Sequence, residues 1–199
     1  PRMSVEEVIA RSDAILVESD VWDLTKYAQR CIDAGKHIHM DKPGGVKLSD
    51  FERLVELIKE KKVAYNLGYM YRFNPYLIDL YERVERGELG EIFSIETHMN
   101  CKHPVGKRQW LELFKGGMMF FLGCHLIDLI YSIQGEPLEI IPLSCSTGMN
   151  GIDTDDYGMV VMKYKNGEVA SVTSAINVVK PETGYIYGTK GYIKVPVFY

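Results

Sequence analysis

The 199-residue sequence lacks the patterns that define several large classes of protein. No apolar run approaches the roughly 18 residues that cross a bilayer, so we expect no membrane span. The 23 Lys and Arg residues are scattered and are outnumbered by 27 Asp and Glu, which argues against a nucleic-acid partner. The four cysteines are far apart without a Cys-x-x-Cys pair. We therefore expect no disulfide framework, no metal site and reduced thiols in a cytoplasm.

The first third of the chain alternates short helices with short apolar strands. Ser4-x-x-Glu7 and Ser49-x-x-Glu52 are capping-box patterns that predict helix starts. Strands are predicted at residues 13–18, 36–40 and 63–67, each separated from the next by a helical pattern. This alternation predicts parallel βαβ units, because parallel strands need a crossover helix.

The pattern changes after Gly68, where we place a domain boundary between residues 1–67 and 68–199. Asn74-Pro75 is a helix cap followed by proline at the first helical position. An apolar helix is predicted from about Gly117 to Ile133. Strands are predicted at 91–99, 138–146, 157–165, 168–178 and 185–195. Asn166-Gly167 predicts a hairpin between two of them, so the second region is α+β with a mainly antiparallel sheet.

Lys42 is the first candidate for chemistry. It comes just after the second predicted strand, between Asp41 and Pro43. Ligands of open α/β sheets bind beyond the carboxyl ends of the strands. An ammonium held there could donate a hydrogen bond to a substrate hydroxyl and stabilise a developing alkoxide. The alternative is an ordinary surface lysine in a turn.

His125 is the second candidate. It lies on the predicted apolar helix, and Asp128 follows at i+3 on the same side. An imidazole oriented by a carboxylate can act as a general base near neutral pH. The alternative is a histidine buried in the core. The aromatic run Tyr69–Pro75, which contains Tyr71 and Arg72, could line a sugar site or form a seam between domains.

Five motifs in order give the chain a specific resemblance to the Gfo/Idh/MocA family of oxidoreductases, named for glucose–fructose oxidoreductase and inositol dehydrogenase. The stretch AGKHIHMDKP at residues 34–43 resembles the family's "aGKHV…EKP" signature. GYMYRFNP at 68–75 is similar to its "GYxxRFxP" segment, and GELGEI at 87–92 to its "GxLGxI" turn. The segment 116–128 resembles its "GGGxxxDxGxHxxD" helix, and 188–193 its "GtkGxi" hairpin.

The resemblance implies part of a Rossmann dinucleotide-binding domain followed by an α/β domain whose open sheet makes a homo-oligomer interface. It implies NAD or NADP as cofactor and a sugar, inositol or related polyol as substrate. By the same resemblance, Lys42 and His125 are catalytic. The positions expected to contact the cofactor are Asp41, Lys42, Pro43 and Ser19. The positions expected to contact substrate are Arg72, Tyr71 and Asp128.

The chain departs from the family pattern at three places. Phe121 stands where the family has an aspartate, four residues before the histidine. Residues 19–24 replace the family's "TPxxxH" segment. No Gly-x-Gly-x-x-Gly loop is present, so we expect the sequence to be an N-terminally truncated fragment. Two alternatives to a dehydrogenase remain, the first because of Phe121 and the second because a fold does not fix function. One is an enzyme of glycosides or sugar nucleotides that oxidises, eliminates and re-reduces on bound NAD. The other is a ligand-binding relative without catalysis.

Overall fold

The chain is divided into two compact units, Pro1–Tyr69 and Met70–Tyr199. The structure, a computed structural model, describes residues 2–113, 115–176 and 183–196. The predicted boundary, after residue 67, lies two residues before the division. The last two residues of the predicted strand 168–178 lie outside the described residues.

The first unit is a three-stranded parallel sheet with its crossover helices. Its elements are α1 (Val5–Arg11), β1 (Ala14–Val17), α2 (Leu24–Asp33), β2 (His37–Met40), α3 (Leu48–Lys61) and β3 (Tyr65–Leu67). The strand order is β1-β2-β3, and both neighbouring pairs are parallel. The buried residues of α2 (Leu24, Ala28, Cys31 and Ile32) recur at helical spacing and form its apolar face.

Local signals set some of these helix ends. The Ser4 hydroxyl accepts from the Glu7 N–H while the Glu7 carboxylate accepts from the Ser4 N–H, which confirms the first capping box. The second predicted capping box is wrong. Helix α3 begins two residues earlier than this pattern predicts, at Leu48, with Lys47 instead of Ser49 at the cap and no side-chain hydrogen bond there. The extended backbone turns into the helix at Lys47, so Ser49 already lies in the first turn.

The second unit is a six-stranded sheet covered on one face by helices. Its helices are α4 (Pro75–Glu85), α5 (Val105–Leu111) and α6 (Cys124–Gln134), with a π-helical turn at Met119–Gly123. Its strands are β4 (Ile92–Asn100), β5 (Glu139–Cys145), β6 (Tyr157–Lys163), β7 (Val169–Ala175), β8 (Thr183–Gly188) and β9 (Gly191–Pro196). The order is β5-β6-β7-β4-β8-β9, and β4–β7 is the parallel pair among antiparallel neighbours. The predicted fold class is confirmed.

Two predicted elements differ from those observed. The predicted strand 185–195 is the hairpin β8–β9, turned at Thr189 and Lys190. The predicted helix from Gly117 to Ile133 is divided, because the π-helical turn precedes α6. The predicted hairpin at Asn166-Gly167 is confirmed. Gly167 has a φ of +86°, a conformation that glycine adopts without steric cost.

The core of the second unit lies between α4, α6 and the covered face of the sheet. Its fully buried side chains come from both layers: Leu77, Leu80, Leu126, Leu129 and Ile130 from the helices, and Ile95, Val172 and Ile186 from the strands. This packing fixes α6, and with it the position of His125. Among the described residues, no helix combines the length and apolar character needed to cross a bilayer.

Candidate functional site

Three of the predicted site residues in the first unit follow β2 directly. The Asp41 N–H donates to the Val17 carbonyl, so the carboxyl ends of β1 and β2 are joined where the turn begins. The Lys42 N–H donates to Asp41 Oδ1 at 2.8 Å. Lys42 and Pro43 are joined by a cis peptide bond, and both are half-buried. The structure therefore places Lys42 at the carboxyl edge of the parallel sheet.

Two glycines, Gly45 and Gly68, lie where the chain packs closely around the turn after β2. A Cβ added at Gly68 would lie 3.2 Å from Asp41 Oδ1 and 3.3 Å from the Asp41 Cα. A Cβ at Gly45 would lie 2.8 Å from Thr25 Cγ2. Glycine at these two positions therefore lets neighbouring chain segments approach the turn around Lys42 more closely than another residue would.

Ser19 lies two residues beyond β1 and is half-buried. Its hydroxyl donates to the Asp20 carbonyl at 3.2 Å. Because β1 and β2 are parallel neighbours, Ser19 and Asp41 follow strand ends at the same edge of the sheet. All four residues predicted to contact a cofactor thus come from one edge.

In the second unit, the structure brings Arg72 and Asp128 together. Arg72 Nη2 donates to Asp128 Oδ1 at 2.7 Å, and Arg72 Nε donates to Asp128 Oδ2 at 2.9 Å. The Arg72 side chain is 49% exposed and the Asp128 side chain 9%. The carboxylate that the helical spacing predicted for His125 is therefore bound by Arg72, because the turn Met70–Phe73 packs against α6.

His125 lies in the first turn of α6 and is 4% exposed. Its ring centroid is 5.3 Å from that of Tyr71, with 44° between the planes, and Tyr71 is 3% exposed. Tyr71 and Arg72 are consecutive, and His125 and Asp128 are three residues apart on α6. The four predicted residues of the second unit thus form one cluster, which we call the His125 cluster.

Tyr81, on α4, belongs to this neighbourhood but is not among the predicted site residues. Burial raises the pKa of the Tyr81 phenol, and the Asp128 carboxylate raises it further. The Ser132 hydroxyl donates to the Asp128 carbonyl at 2.8 Å. A hydroxyl on an otherwise apolar helix face is the signal that could have identified Tyr81.

Phe121, the residue in place of the family's aspartate, packs in an aromatic group. Its ring is edge-on to Trp110 with centroids 5.2 Å apart, and it lies 6.1 Å from the His103 ring. Lys107 Nζ lies 3.6 Å from the Trp110 centroid and 4.4 Å from that of Phe121. Burial, with the nearby Lys107 ammonium, lowers the pKa of His103. The turn before His125 therefore carries an apolar wall instead of a carboxylate.

The remaining candidate sites are a disulfide between cysteines and a metal site. The four cysteines form no disulfide in the part of the chain that the structure describes. Over residues 2–113, 115–176 and 183–196, no three His, Cys, Asp or Glu side chains are grouped so that they could hold a metal ion.

The fold and these residues define a protein of two α/β units, with a polar sheet edge in the first and a buried histidine cluster in the second. A family model described as the GFO/IDH/MocA C-terminal domain matches residues 77–194, more than half of the chain. The chain therefore belongs to the GFO/IDH/MocA family.

Curated proteins are similar to the chain in sequence, and solved structures are similar to it in fold. The chain is 27% identical to the uncharacterized oxidoreductase YhhX of Escherichia coli, over 83% of this chain and 48% of that protein. It is 26% identical to myo-inositol 2-dehydrogenase of Thermotoga maritima, over 91% of this chain and 55% of that protein. The fold is similar to that of the WlbA dehydrogenase from Bordetella pertussis in complex with NADH and UDP-GlcNAcA, with a TM-score of 0.85 and 20% sequence identity. This match covers 98% of the present chain and 59% of the WlbA chain. The chain spans about half the length of the curated relatives it matches.

Proposed function

We propose that this chain belongs to an NAD(P)-dependent oxidoreductase that transfers a hydride between a nicotinamide cofactor and a sugar, inositol or related polyol. The observation that carries the proposal is the His125 cluster, in which Tyr71 packs against a buried imidazole and the half-exposed Arg72 pairs with Asp128, three residues along the same helix. Relatives named as dehydrogenases of glucose 6-phosphate and of myo-inositol support the class of substrate.

The sheet edge of the first unit fits a nicotinamide cofactor. Asp41, Lys42 and Pro43 follow β2 and Ser19 follows β1, and the carboxyl edge of a parallel sheet is where dinucleotides bind. The close approach of Gly68 to Asp41 keeps this edge clear of further side chains. Those four residues would hold the nicotinamide half, and when bound the cofactor supplies the hydride acceptor or donor.

Lys42 acts on the substrate hydroxyl in this proposal. Its backbone is fixed by the hydrogen bond of its N–H to the Asp41 carboxylate. The ammonium donates a hydrogen bond to the reacting oxygen and stabilises negative charge as it develops there. A positively charged hydrogen-bond donor at the reacting oxygen lowers the cost of removing the hydroxyl proton.

His125 takes that proton. An imidazole titrates near neutral pH and can hold the proton on a ring nitrogen until product leaves. Tyr71 packs on the ring and limits its rotation. Arg72 is held by Asp128 through Nε and Nη2, and in this proposal its half-exposed guanidinium also donates to substrate oxygens.

Phe121 favours a second candidate, an enzyme of glycosides or sugar nucleotides that uses bound NAD transiently. The apolar wall of Phe121 and Trp110 removes one carboxylate from the acid–base set. Oxidation, elimination and re-reduction would return the cofactor to its starting state. This reaction gives a product with no net redox change, which separates it from the dehydrogenase.

A second copy of the chain is the partner that we propose for the uncovered face of the six-stranded sheet. Tyr185 and Tyr187 stack there with centroids 5.8 Å apart, and Tyr187 contacts Phe93 and Tyr192. Phe93 is 55% exposed, Tyr192 66% and Leu143 53%. An apolar, aromatic patch of this kind is typical of subunit interfaces.

The test is a cofactor titration on the protein expressed from its complete reading frame, followed by a screen of sugars and polyols for reduced-nicotinamide absorbance. Binding with turnover supports the dehydrogenase and identifies the substrate class. Tight binding, with product formed but no net redox change, supports the second candidate. Absence of binding to NAD and NADP contradicts both functions.

A further inference from the structure

Arg108 is a buried cation outside the His125 cluster. It lies on α5, and its side chain is 3% exposed. Its guanidinium donates through Nη1 to Asn150 Oδ1 at 2.6 Å, and through Nη2 to the Met149 carbonyl at 2.7 Å and to Asp156 Oδ2 at 3.3 Å. One side chain of α5 therefore binds the connection between β5 and β6, residues 146–156, at its middle and at its last residue.

Asp156 is the matching buried anion, and its side chain is fully buried. Its Oδ1 accepts from the Thr147 N–H at 2.9 Å, and its Oδ2 accepts from the Thr147 hydroxyl at 2.6 Å. Its carbonyl accepts from the Ile176 N–H at 3.1 Å. Buried charges are retained in proteins when they are paired and hydrogen bonded, as both charges are here.

The connection 146–156 meets the start of the segment that leads to His125. The Asp155 carbonyl accepts from the Met118 N–H at 2.9 Å. A Cβ added at Gly117, whose φ is +45°, would lie 2.0 Å from that same carbonyl oxygen. This close approach allows no other side chain, so the backbone at Gly117 and Met118 follows the position of Asp155.

The segment between Met118 and His125 is a single π-helical turn. Beyond it, Leu126, Leu129 and Ile130 fix α6 in the core. The wider hydrogen-bonded ring of a π-turn changes the direction in which the following side chains point, and such turns occur often at functional sites. The direction of His125 therefore depends on where both ends of the turn are fixed.

We infer that Arg108 and Asp156 are a positioning pair for His125: they fix the connection 146–156, which in turn fixes the start of the π-turn. The pair contacts neither substrate nor cofactor in this account. The inference on turnover rests on the proposed function, while the effect on His125 does not. The path runs from Asp156 through the Asp155 carbonyl to the Met118 N–H.

Three variants weaken the pair in different ways. Arg108→Lys keeps the charge and removes the guanidinium fork. Asp156→Asn removes the charge and keeps the shape. Thr147→Val removes the hydroxyl that donates to Asp156. Because Thr147 is exposed, we expect this variant to fold even if the other two do not. Lys163→Met is the control, because it breaks the exposed Lys163–Glu139 ion pair between β5 and β6.

Two readouts use the 199-residue chain without ligand. The first is the exchange rate of the Met118 amide in a ¹⁵N-methionine-labelled chain. The second is the set of ring nitrogen resonances of His125, which are identified by their loss in His125→Gln. We expect at least tenfold faster Met118 exchange and displaced His125 resonances in each variant that folds, and neither change in Lys163→Met.

Turnover in the protein from the complete reading frame is the third readout. We expect kcat to fall at least tenfold in Asp156→Asn with KM within twofold, because the base is misplaced while substrate contacts remain. Unchanged Met118 exchange and His125 resonances in every folded variant, Thr147→Val included, would overturn the inference. A wild-type protein without turnover contradicts the proposed function alone, since the two resonance measurements still decide the positioning role.

Discussion

Arg72 and Asp128 form a two-point ion pair across 56 residues of sequence, with Arg72 Nη2 at 2.7 Å from Asp128 Oδ1 and Arg72 Nε at 2.9 Å from Asp128 Oδ2. The pair ties the turn Met70–Phe73 to α6, the helix that carries His125. It therefore links the stability of the His125 cluster to its proposed contact with substrate.

Arg72→Lys keeps the charge but replaces the planar fork with a point donor. We expect the free energy of unfolding to fall by about 1–2 kcal/mol, because Asp128 is nearly buried while half of Arg72 is exposed. The control is Arg86→Lys, which alters exposed ion pairs with Glu82 and Glu88. That control should change stability by about 0.5 kcal/mol or less in urea unfolding. Equal effects of the two substitutions would show that the pair with Asp128 has no special role.

Gly117→Ala tests the close approach to Asp155. The new Cβ would lie 2.0 Å from the Asp155 carbonyl oxygen, so the backbone has to move. The matched control is Gly87→Ala, which has φ +71° and no atom within 4 Å of the added Cβ. We expect Gly87→Ala to cost about 1 kcal/mol from its backbone conformation alone. Gly117→Ala should cost at least about 2 kcal/mol more by urea unfolding, and similar costs would contradict the contact.

Elements set by adjacent residues were predictable from the sequence. Ser4 with Glu7, Asn74 with Pro75 and Asn166 with Gly167 each form the cap or turn that their pattern indicates. Ser49 and Glu52 match the same capping pattern and do not cap α3, because the backbone turns into the helix at Lys47. A capping pattern shows which side chains can form the cap hydrogen bonds. The conformation of the preceding backbone decides where the helix begins, and so whether those bonds form.

The contacts that build the site were not predictable in the same way. Arg72 meets Asp128, and Arg108 meets Asp156 48 residues later, through packing of separate elements. Helical spacing predicted Asp128 as the partner of His125, because a sequence indicates side-chain contacts only between near neighbours on the same helix. The π-turn before His125 also lacks a local signal, because its apolar residues suit an α-helix equally well.

Glu168 gives a pH-dependent prediction. It is 2% exposed, and burial raises the pKa of its carboxyl above the ordinary 4.5, with Asn166 opposing part of that effect. The folded state therefore holds the proton more tightly than the unfolded chain. The stability that this contributes is complete below pH 4.5 and is lost as the pH rises through the folded pKa.

The measurement for Glu168 is urea unfolding of wild type and Glu168→Gln at pH 4 and at pH 7.5. Glutamine does not ionise, so we expect the variant to gain stability relative to wild type at the higher pH. Glu85→Gln, a surface substitution on α4, corrects for the loss of one negative charge. A stability difference that is the same at both pH values would contradict the burial of an ionisable Glu168.

The aromatic face of the sheet gives a prediction about assembly. Tyr187→Glu places a charge among Phe93, Tyr185 and Tyr192, so association through this face should be lost. Tyr131→Glu is the control, since Tyr131 is 52% exposed on α6. Light scattering after size-exclusion chromatography should give the mass of a monomer for Tyr187→Glu. Tyr131→Glu should keep the mass of the wild-type assembly. An unchanged mass for Tyr187→Glu would place any interface elsewhere.

The turnover number of Lys42→Met and His125→Gln, in the protein from the complete reading frame, tests the central claim most directly. Lys47→Met is the control for Lys42, because Lys47 is exposed at the start of α3. Loss of the hydrogen-bond donor or of the base should each lower kcat by about 10²–10⁴-fold with the fold intact, while Lys47→Met stays within about twofold of wild type. A kcat that is unchanged in both variants would contradict the assignment of Lys42 and His125 as the groups that act on the substrate hydroxyl.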